Sequence, residues 1–265
     1  MSMLDGHVAM VTGAGRGFGR AIAERFSAEG AKVALLARSA GEIGEVAAVI
    51  GPAALAVPCD VTDPRSVDSA IATVSSELGA IDILVSNAGV PGPFGPLWEV
   101  DPEQWWQAQA VHIRAPMLLL NRLLPGMIER GRGHAVCVSA KAARIVAPNL
   151  SAYCTGKIAQ NRIVAEAAAE LDGTGVAVFA IDPGFVFTQL ARDTMEDPAA
   201  QKHLTGMVER LRHRENEPGA DDDLARCADR VLALVSGKYD LLSGNYYELD
   251  DDLDKALAER KAAQG

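Results

Sequence analysis

Short apolar runs alternate with helix-length amphipathic segments along most of this chain. The apolar runs are Val8–Val11, Val33–Ala37, Ala54–Val57, Ile83–Ser86, Ala135–Val138 and Val176–Ile181. The segments between them include Arg20–Glu29, Pro64–Leu78, Gln104–Arg130 and Tyr153–Leu171. Strands that are apolar throughout are buried on both faces, as happens in a parallel sheet covered by helices. The alternation therefore predicts an α/β fold with a doubly wound parallel sheet flanked by helices on both faces.

The length and the connecting segments predict a single domain. The chain has 265 residues, of which 49% are hydrophobic, and it contains no repeat and no long linker. Two stretches look irregular: Val90–Pro102, rich in Gly and Pro, and the charged segment 189–223, which we expect to be a mobile substrate loop. Both follow predicted strands, where doubly wound sheets bind ligands, although ordinary surface loops are an equal alternative. The charged tail 248–265 has acids before bases, an order that favours a helix.

Several classes of function are disfavoured by composition. The net charge of −10 argues against a nucleic-acid partner. No apolar run is long enough to cross a membrane, and the first residues do not resemble a signal peptide. The four cysteines lack C-x-x-C spacing and the five histidines are scattered, so we expect no metal site and no disulfide. These features predict a cytoplasmic protein.

A glycine-rich turn follows the first predicted strand and opens the first predicted helix. In the stretch 8–19, Gly13, Gly17 and Gly19 follow a T-G-x-x-x-G-x-G pattern. Gly13 permits a tight turn, Gly17 permits the backbone to approach a diphosphate, and Gly19 permits close packing of the helix on the sheet. The helix N-terminus offers free N–H groups to phosphate oxygens. The turn therefore predicts a Rossmann-like dinucleotide site.

The end of the second predicted strand bears on the choice of dinucleotide. An NAD site places a carboxylate there to accept the ribose hydroxyls, whereas this strand ends at Arg38 without an acid. Arg38 could bind a 2′-phosphate and stack on adenine, and Arg16 within the glycine turn is a second candidate. We therefore favour NADP(H) over NAD(H), with the alternative that Arg38 is a solvated surface residue.

Tyr153 and Lys157 form a candidate acid/base pair. Residues four apart on a helix share one face, and an ammonium near a phenol lowers the pKa of the phenol. Such a tyrosine can donate a proton to a carbonyl that is being reduced, or accept one from an alcohol that is being oxidised. The spacing alone is also compatible with a packed tyrosine beside a solvated lysine.

Together these residues resemble the short-chain dehydrogenase/reductase family, in its compact single-domain branch. The resemblance runs from about Gly6 to Tyr247 and includes five motifs in the family's order. Besides the glycine turn and the Tyr153/Lys157 pair, they are Asp60-Val61 after the third strand, Asn87-Ala88-Gly89 after the fourth, and the P-G-x-V-x-T stretch 183–188. The resemblance implies hydride transfer between a nicotinamide cofactor and a small carbonyl or alcohol substrate.

The resemblance also assigns roles to individual residues. It implies that Tyr153 passes the proton and that Lys157 holds the cofactor ribose. It implies that a serine and an asparagine assist them, for which the candidates are Ser139 and His112. The implied cofactor-binding residues are Gly13, Arg16, Gly17, Phe18, Gly19, Arg38, Asp60, Val61, Asn87, Ala88, Gly89, Tyr153, Lys157, Pro183, Gly184, Val186 and Thr188.

Two positions depart from the family pattern. The family serine stands thirteen residues before the tyrosine, which here is Ala140, so either Ser139 serves or the donor is missing. Neighbouring strand residues face opposite sides, so this offset of one residue matters. The family asparagine position holds His112, whose imidazole ordinarily titrates near neutral pH and could either sustain a relay or simply pack. Lys141 is a surface lysine by default, or a group that attracts an acidic substrate.

Three functions remain open at the level of sequence. The first is an NADP(H)-dependent carbonyl reductase or alcohol dehydrogenase, whose apolar pocket could use Phe94, Leu97, Trp98, Phe185 and Phe187. The second is an NADP(H)-binding protein with little turnover, since the serine and asparagine positions are altered. The third is dehydratase or epimerase chemistry, which the compact length disfavours. The resemblance further implies a homodimer or homotetramer that pairs the two long helices of each subunit.

Overall fold

The computed structural model describes residues 2–264, which form seven strands and eleven α-helices. The strands are β1 Val8–Thr12, β2 Lys32–Ala37, β3 Ala54–Pro58, β4 Ile83–Ser86, β5 Gly133–Val138, β6 Val176–Ile181 and β7 Tyr246–Tyr247. The helices are α1 Gly17–Ala28, α2 Ala40–Ile50, α3 Pro64–Glu77, α4 Pro102–Gln109, α5 Ala115–Arg130, α6 Ser151–Glu170, α7 Gln189–Glu196, α8 Pro198–His203, α9 Thr205–Glu215, α10 Asp222–Leu234 and α11 Leu253–Gln264. A π-helical turn, Ala110–Arg114, joins α4 to α5.

All seven strands belong to one parallel sheet. Their order is β3-β2-β1-β4-β5-β6-β7. Strands β2 and β3 are added on one side of β1 and the later strands on the other side, so the winding of the chain reverses between β1 and β4. Ligands of doubly wound sheets bind outside the carboxyl ends of the strands at such a reversal. The fold predicted from the alternation of apolar runs is thus confirmed, and the glycine-rich turn lies at this reversal.

Each face of the sheet is covered by its own set of helices. Side chains from α1, α2, α10 and α11 pack with one face, where Phe26 and Phe179 are fully buried. Side chains from α3, α5 and α6 pack with the other face around Met10, Leu84 and Met127. The sheet is therefore buried on both sides, as its continuously apolar strands require.

The segment 189–223 differs from its predicted irregular form. It contains the helices α7, α8 and α9 and the start of α10. Pro198 does not interrupt a helix, because it stands in the first turn of α8, where Asp197 caps the helix by accepting from the N–H groups of Ala199 and Ala200. Proline and charge therefore mark helix boundaries in this segment. The tail also contains a helix, α11.

The predicted long helix Gln104–Arg130 is interrupted near its middle. Asp101 caps α4 and Pro102 occupies its first turn, while Gly131 ends α5 in the left-handed conformation at φ 67°. Between them the π-helical turn inserts extra backbone and contains His112. Such turns re-aim side chains, and here the turn directs His112 toward α6.

Candidate active site

Glycine is required at the turn that follows β1 because other backbone lies very close. Gly13 and Gly17 adopt positive φ angles of 65° and 54°. A Cβ atom at Gly13 would lie 2.9 Å from the side-chain nitrogen of Asn87, and one at Gly19 would overlap the carbonyl of Gly13. The first turn of α1 has neither an acidic residue nor a side-chain cap, so its N–H groups are open to an anion. This cradle fits the diphosphate of a dinucleotide.

Thr12 and Asn87 join the ends of β1 and β4 beneath this cradle. The hydroxyl of Thr12 accepts hydrogen bonds from the N–H groups of Asn87, at 2.9 Å, and Ala88, at 3.1 Å. The side-chain Nδ2 of Asn87 donates to the main-chain carbonyl of Thr12 at 3.0 Å. Thr12 was not among the predicted site residues, although its hydroxyl is the one polar group in the otherwise apolar β1. The hydrogen bonds of Thr12 hold the end of β4 next to the glycine-rich turn.

The two arginines at the predicted adenosine end each have an acidic neighbour. Arg38 is exposed after β2 and is close enough to Asp60 to help lower the pKa of that carboxyl, which is lowered mainly by hydrogen bonds from Thr62. Arg16 forms an ion pair with Glu42 at 3.2 Å. Val61 is buried beneath this region. Glu42, in the first turn of α2, thus brings an acidic group to this end of the site.

The stretch 183–188 lies beside the glycine turn. The Thr188 methyl group would be 3.3 Å from a Cβ atom placed at Gly17, so two distant motifs meet here. Gly184 has a φ of 88°, and a Cβ atom there would overlap the carboxylate of Asp223, which accepts a hydrogen bond from the N–H of Phe185. Pro183 and Val186 are buried. The stretch 183–188 therefore belongs to the same site as the glycine turn.

Tyr153 and Lys157 lie together on the inward face of α6. Lys157 is buried, and its Nζ is 5.6 Å from the centre of the Tyr153 ring. Nζ donates to the carbonyl of Val138 at 2.8 Å and to the Oε1 of Gln160 at 3.3 Å. A Cβ atom at Gly89 would be 4.0 Å from this Nζ, so the Asn87–Gly89 motif borders the pair.

The pKa of Tyr153 shifts in the direction opposite to the expectation from sequence. Burial raises the pKa of the phenol, and the Asp182 carboxylate and Cys154 raise it further. Burial also lowers the pKa of Lys157 to about 8, against the opposing effects of Cys137 and Asp182. The expectation of a lowered tyrosine pKa was therefore wrong, because burial and the nearby acidic groups raise the pKa of Tyr153.

His112 is a neutral, buried histidine that contacts Tyr153. Its ring meets that of Tyr153 edge to face, with centroids 5.4 Å apart. The Nε2 donates to the carbonyl of Val90 at 2.9 Å, while Nδ1 has no hydrogen-bond partner among the described residues. Burial and the nearby Lys157 charge lower the pKa of His112 to about 3. The expectation that it titrates near neutral pH was wrong for this reason.

The hydroxyl of Ser139 forms a hydrogen bond with the backbone of helix α6. Its hydroxyl is buried and donates to the carbonyl of Lys157 at 3.3 Å, and its N–H donates to the carbonyl of Ile181. Ala140, one residue later on the opposite side, has no polar side chain to offer. The hydroxyl hydrogen of Ser139 is thus engaged by the backbone of α6. The geometry does not support Ser139 as a donor to substrate.

Lys141 points away from the site. Its side chain is exposed and forms an ion pair with Glu248 at 3.4 Å, and Arg144 approaches the same carboxylate at 3.5 Å. Its main-chain N–H donates to the Asp182 carboxylate at 2.9 Å. These contacts are those of a surface lysine, the default interpretation of its sequence position.

An apolar cluster packs against Tyr153 and Cys154 on the side opposite the sheet. Its buried members are Phe94, Leu150, Ala200 and Val208. Of the five predicted pocket residues, only Phe94 belongs to this cluster. Leu97 and Trp98 are 67% and 85% exposed, and Phe185 and Phe187 lie under the guanidinium groups of Arg214 and Arg192.

One residue joins the three segments that surround this cluster. Asn149 adopts a left-handed backbone conformation at φ 69°, which asparagine tolerates better than most residues. Its carbonyl accepts from the N–H of Gly95 at 3.0 Å, and its side chain donates to the carbonyl of His203 at 3.0 Å. The loop 87–101, the loop 139–150 and helix α8 are thereby held together.

Residues 2–264 contain neither a candidate metal site nor a candidate membrane span. Within that range, no group of three or more His, Cys, Asp or Glu side chains could hold a metal ion. Within the same range, no helix is both long and apolar enough to cross a membrane.

Comparison with known proteins identifies the family. The family described as short chain dehydrogenase matches residues 7–199. A short chain dehydrogenase from Pseudocercospora fijiensis is 34% identical, with 99% of this chain and 86% of the relative aligned. The 2-(R)-hydroxypropyl-CoM dehydrogenase of Xanthobacter autotrophicus is 32% identical over 92% of this chain and 96% of its own.

Solved structures agree with this assignment. The 3-ketoacyl-(acyl-carrier-protein) reductase from Brucella melitensis, complexed with NADH, superposes with a TM-score of 0.79 at 29% identity, covering 92% of this chain and 97% of that one. The KRED1-Pglu enzyme superposes with a TM-score of 0.81 at 28% identity, covering 91% and 99%. The chain therefore belongs to the short-chain dehydrogenase/reductase family of oxidoreductases.

Proposed function

We propose that this protein interconverts a carbonyl and an alcohol with NADP(H), and that Tyr153 passes the proton. The observation that carries the proposal is the buried Lys157 beside Tyr153, bordered by the Asn87–Gly89 motif, which also contacts the glycine turn. A relative that is a dehydrogenase and a structural neighbour that is a reductase complexed with NADH support a nicotinamide cofactor. When bound, the nicotinamide supplies or accepts the hydride.

The chain's own residues perform the remaining tasks in this proposal. The N–H groups at the start of α1 bind the diphosphate, and the open face of Lys157 holds the ribose. A neutral phenol is a proton donor, so Tyr153, beside the Lys157 ammonium, can protonate a carbonyl oxygen during reduction. Phe94 and Leu150 exclude water on the substrate side. We infer a small or medium apolar substrate from this lining.

A preference for NADPH over NADH forms the finer part of the proposal. Arg38 and Arg16 supply two cations at the adenosine end, and no acid stands at the end of β2. Glu42 opposes the preference because it pairs with Arg16. We expect a lower KM for NADPH than for NADH, and a larger ratio in Glu42→Gln, which frees Arg16. Equal use of both cofactors by the unaltered enzyme would contradict the assignment.

Replacement of the tyrosine hydroxyl tests the chemistry. A screen of aldehydes, ketones and alcohols with NADPH and NADP⁺ should give turnover that falls by about 10²–10⁴ in Tyr153→Phe. Tyr246→Phe is a matched control, since its hydroxyl is also buried near Asp182 but has no hydrogen-bond partner among the described residues. Retained activity in Tyr153→Phe would remove the tyrosine from the reaction.

A second candidate is cofactor binding with little turnover. It is favoured by the missing serine at Ala140 and by the engagement of the Ser139 hydroxyl with the backbone of α6. Loss of one donor to a developing oxyanion costs about 10²–10³ in rate. Tight binding of NADPH, measured by its fluorescence, with no turnover on the whole panel would favour this second function.

We also propose that the protein forms a homodimer or homotetramer through α4, α5 and α6. Large apolar side chains on these helices are solvent-exposed: Trp106, Met117 and Ile158 are 66%, 46% and 56% exposed. Exposed apolar patches of this kind mark contact surfaces. The segment 189–223 is proposed to cover the substrate, since its helices pack against the apolar cluster beside Tyr153.

A further inference from the structure

Gln160 is a buried amide on the inward face of α6. It is 1% exposed and lies three residues after Lys157 and four before Val164, which packs in the core under the sheet. Burial of an amide is unfavourable unless the amide finds a hydrogen-bond partner. An apolar side chain would suit this position if packing were its only role. The polar partner that it finds is the Lys157 ammonium.

The direction of helical side chains explains the contact. Side chains of an α-helix lean toward its N-terminus, so Lys157 leans toward Tyr153 and Gln160 leans toward Lys157. The Oε1 of Gln160 accepts from Nζ at 3.3 Å, and the carbonyl of Val138 accepts at 2.8 Å from another side. An ammonium has three N–H donors. Two fixed acceptors therefore leave one donor for the open part of the site.

Neutral oxygen atoms hold this buried cation. The titratable groups that face Lys157 are Cys137 from β5, Asp182 after β6, His112 from the π-helical turn and Tyr153 on α6. Cys137 and Asp182 favour the charged form of Lys157 electrostatically, but among the described residues neither forms a hydrogen bond with its Nζ. The two hydrogen-bond acceptors are thus the groups in contact that favour the charged form of Lys157.

We propose that Gln160 is a positioning residue for Lys157, whose amide oxygen keeps the ammonium charged and turned toward Tyr153. This inference rests on the proposed function, in which Lys157 must carry its charge. It assigns a task to a residue that lies outside the five family motifs. It also explains why a helix face that otherwise meets the core contains a glutamine.

Three substitutions separate this role from simple packing. Gln160→Leu removes the acceptor while nearly keeping the volume, and Gln160→Glu keeps the acceptor and adds a charge. Gln109→Leu is the matched control: Gln109 is also buried, at 3% exposure, but its amide donates to the main-chain carbonyls of Trp105 and Ala152. Folding of each variant is checked by circular dichroism.

The first measurement is the pH dependence with which acetic anhydride labels Lys157, quantified by mass spectrometry of its peptide. The labelling midpoint should fall by about one to two pH units in Gln160→Leu, because a hydrogen bond to a charged group is lost. It should rise in Gln160→Glu and stay constant in Gln109→Leu. An unchanged midpoint in both Gln160 variants, or an equal shift in Gln109→Leu, would overturn the proposal. If Gln160→Leu does not fold, the rise in Gln160→Glu decides.

The second measurement is the pH profile of kcat/KM with NADPH. In Gln160→Leu the activity should decline at a lower pH than in the unaltered enzyme, whereas a packing defect would lower kcat/KM equally at every pH. A uniform loss would therefore argue against positioning. The labelling experiment needs no turnover, so it distinguishes the failure of this inference from the failure of the proposed function, which Tyr153→Phe tests.

Discussion

At the scale of single residues, burial acts on the two central groups in opposite directions. It raises the pKa of Tyr153 and lowers that of Lys157, so each is driven toward its neutral form. For the tyrosine this is the proton-donating form. For the lysine it opposes the charge that the proposed reaction needs. The unfavourable burial of the Lys157 charge is therefore part of the folding free energy of this protein.

The Lys157 charge should make the stability of this protein depend on alkaline pH. With a pKa of about 8 in the folded state against 10.5 unfolded, the unfolded chain binds more protons between those values, so the contribution of Lys157 to stability improves as pH rises through that window. We expect the stability of Lys157→Met relative to the unaltered protein to fall by about 3 kcal/mol between pH 7 and pH 10.5, because only the unaltered protein gains stability from this titration.

Urea unfolding at pH 7 to 10.5 measures this difference. Lys32→Met, which alters an exposed lysine on β2, should show a small difference without that pH dependence. A difference for Lys157→Met that stays constant across the range would contradict the lowered pKa.

The neutral state of His112 leads to a second prediction at this scale. His112→Asn should leave kcat unchanged or raise it, because the pKa of about 3 leaves the imidazole without a charge to lose at pH 6 to 8. The pH profiles of the two enzymes should therefore coincide in that range. A collapse of kcat in His112→Asn would instead reveal a role of the imidazole itself.

At the scale of elements, the packing of α6 against the π-helical turn determines the geometry around Tyr153. Gly156 faces His112 closely: a Cβ atom there would lie 2.9 Å from the Cγ of His112 and 3.1 Å from the Oε1 of Gln109. The ring of His112 can meet Tyr153 edge to face only because α6 has no side chain at this point. The position of His112 in the π-helical turn therefore requires a glycine at position 156.

Substitution of this glycine should separate packing from helix propensity. Gly156→Ala should destabilise the protein by about 1–3 kcal/mol because buried neighbours must move. Gly44→Ala in α2 is the control, since its Cβ atom would meet nothing within 4 Å, and it should stabilise the protein by up to about 1 kcal/mol. Thermal unfolding of both variants measures the contrast. Equal effects would show that His112 does not restrict this position.

Particular elements show where sequence patterns suffice and where they do not. The six longer strands were predictable because burial on both faces leaves an apolar run in the sequence. Helices α7, α8 and α9 were not, because they are short and charged and bury few residues each. The spacing of Tyr153 and Lys157 in the sequence predicted that they share one helix face. It contained no information about their burial, which is the largest cause of both pKa shifts. The engagement of Ser139 with α6 likewise depends on a contact across the chain.

At the scale of the whole molecule, the parallel sheet brings motifs from positions 12 to 188 to one edge. Thr12 ends β1 and Asn87 follows the neighbouring strand β4, while the stretch 183–188 follows β6 and reaches the glycine turn through Thr188. Helices α4, α5 and α6 also carry exposed apolar side chains, among them Trp106, Met117 and Ile158.

The proposed assembly predicts that charges on these helices dissociate it. Met117→Glu combined with Ile158→Glu should convert the oligomer to a monomer, because the interface would bury two unpaired carboxylates. Val49→Glu is the control, since Val49 is also exposed, at 66%, but lies on α2. Light scattering after size-exclusion chromatography gives the masses. An unchanged mass in the double variant would exclude these helices from the interface.

The role of Asn149 has a consequence for how this enzyme can change its substrate range. Because a single residue fastens two loops and helix α8 around the apolar cluster, the walls of the pocket do not vary independently of one another. Selection for a bulkier substrate can replace individual side chains such as Phe94 by smaller ones while the hydrogen bonds of Asn149 are kept. Replacement of Asn149 removes the hydrogen bonds to both Gly95 and His203, so it alters the two loops and helix α8 together. The substrate range can therefore change gradually through single side chains, or abruptly through Asn149.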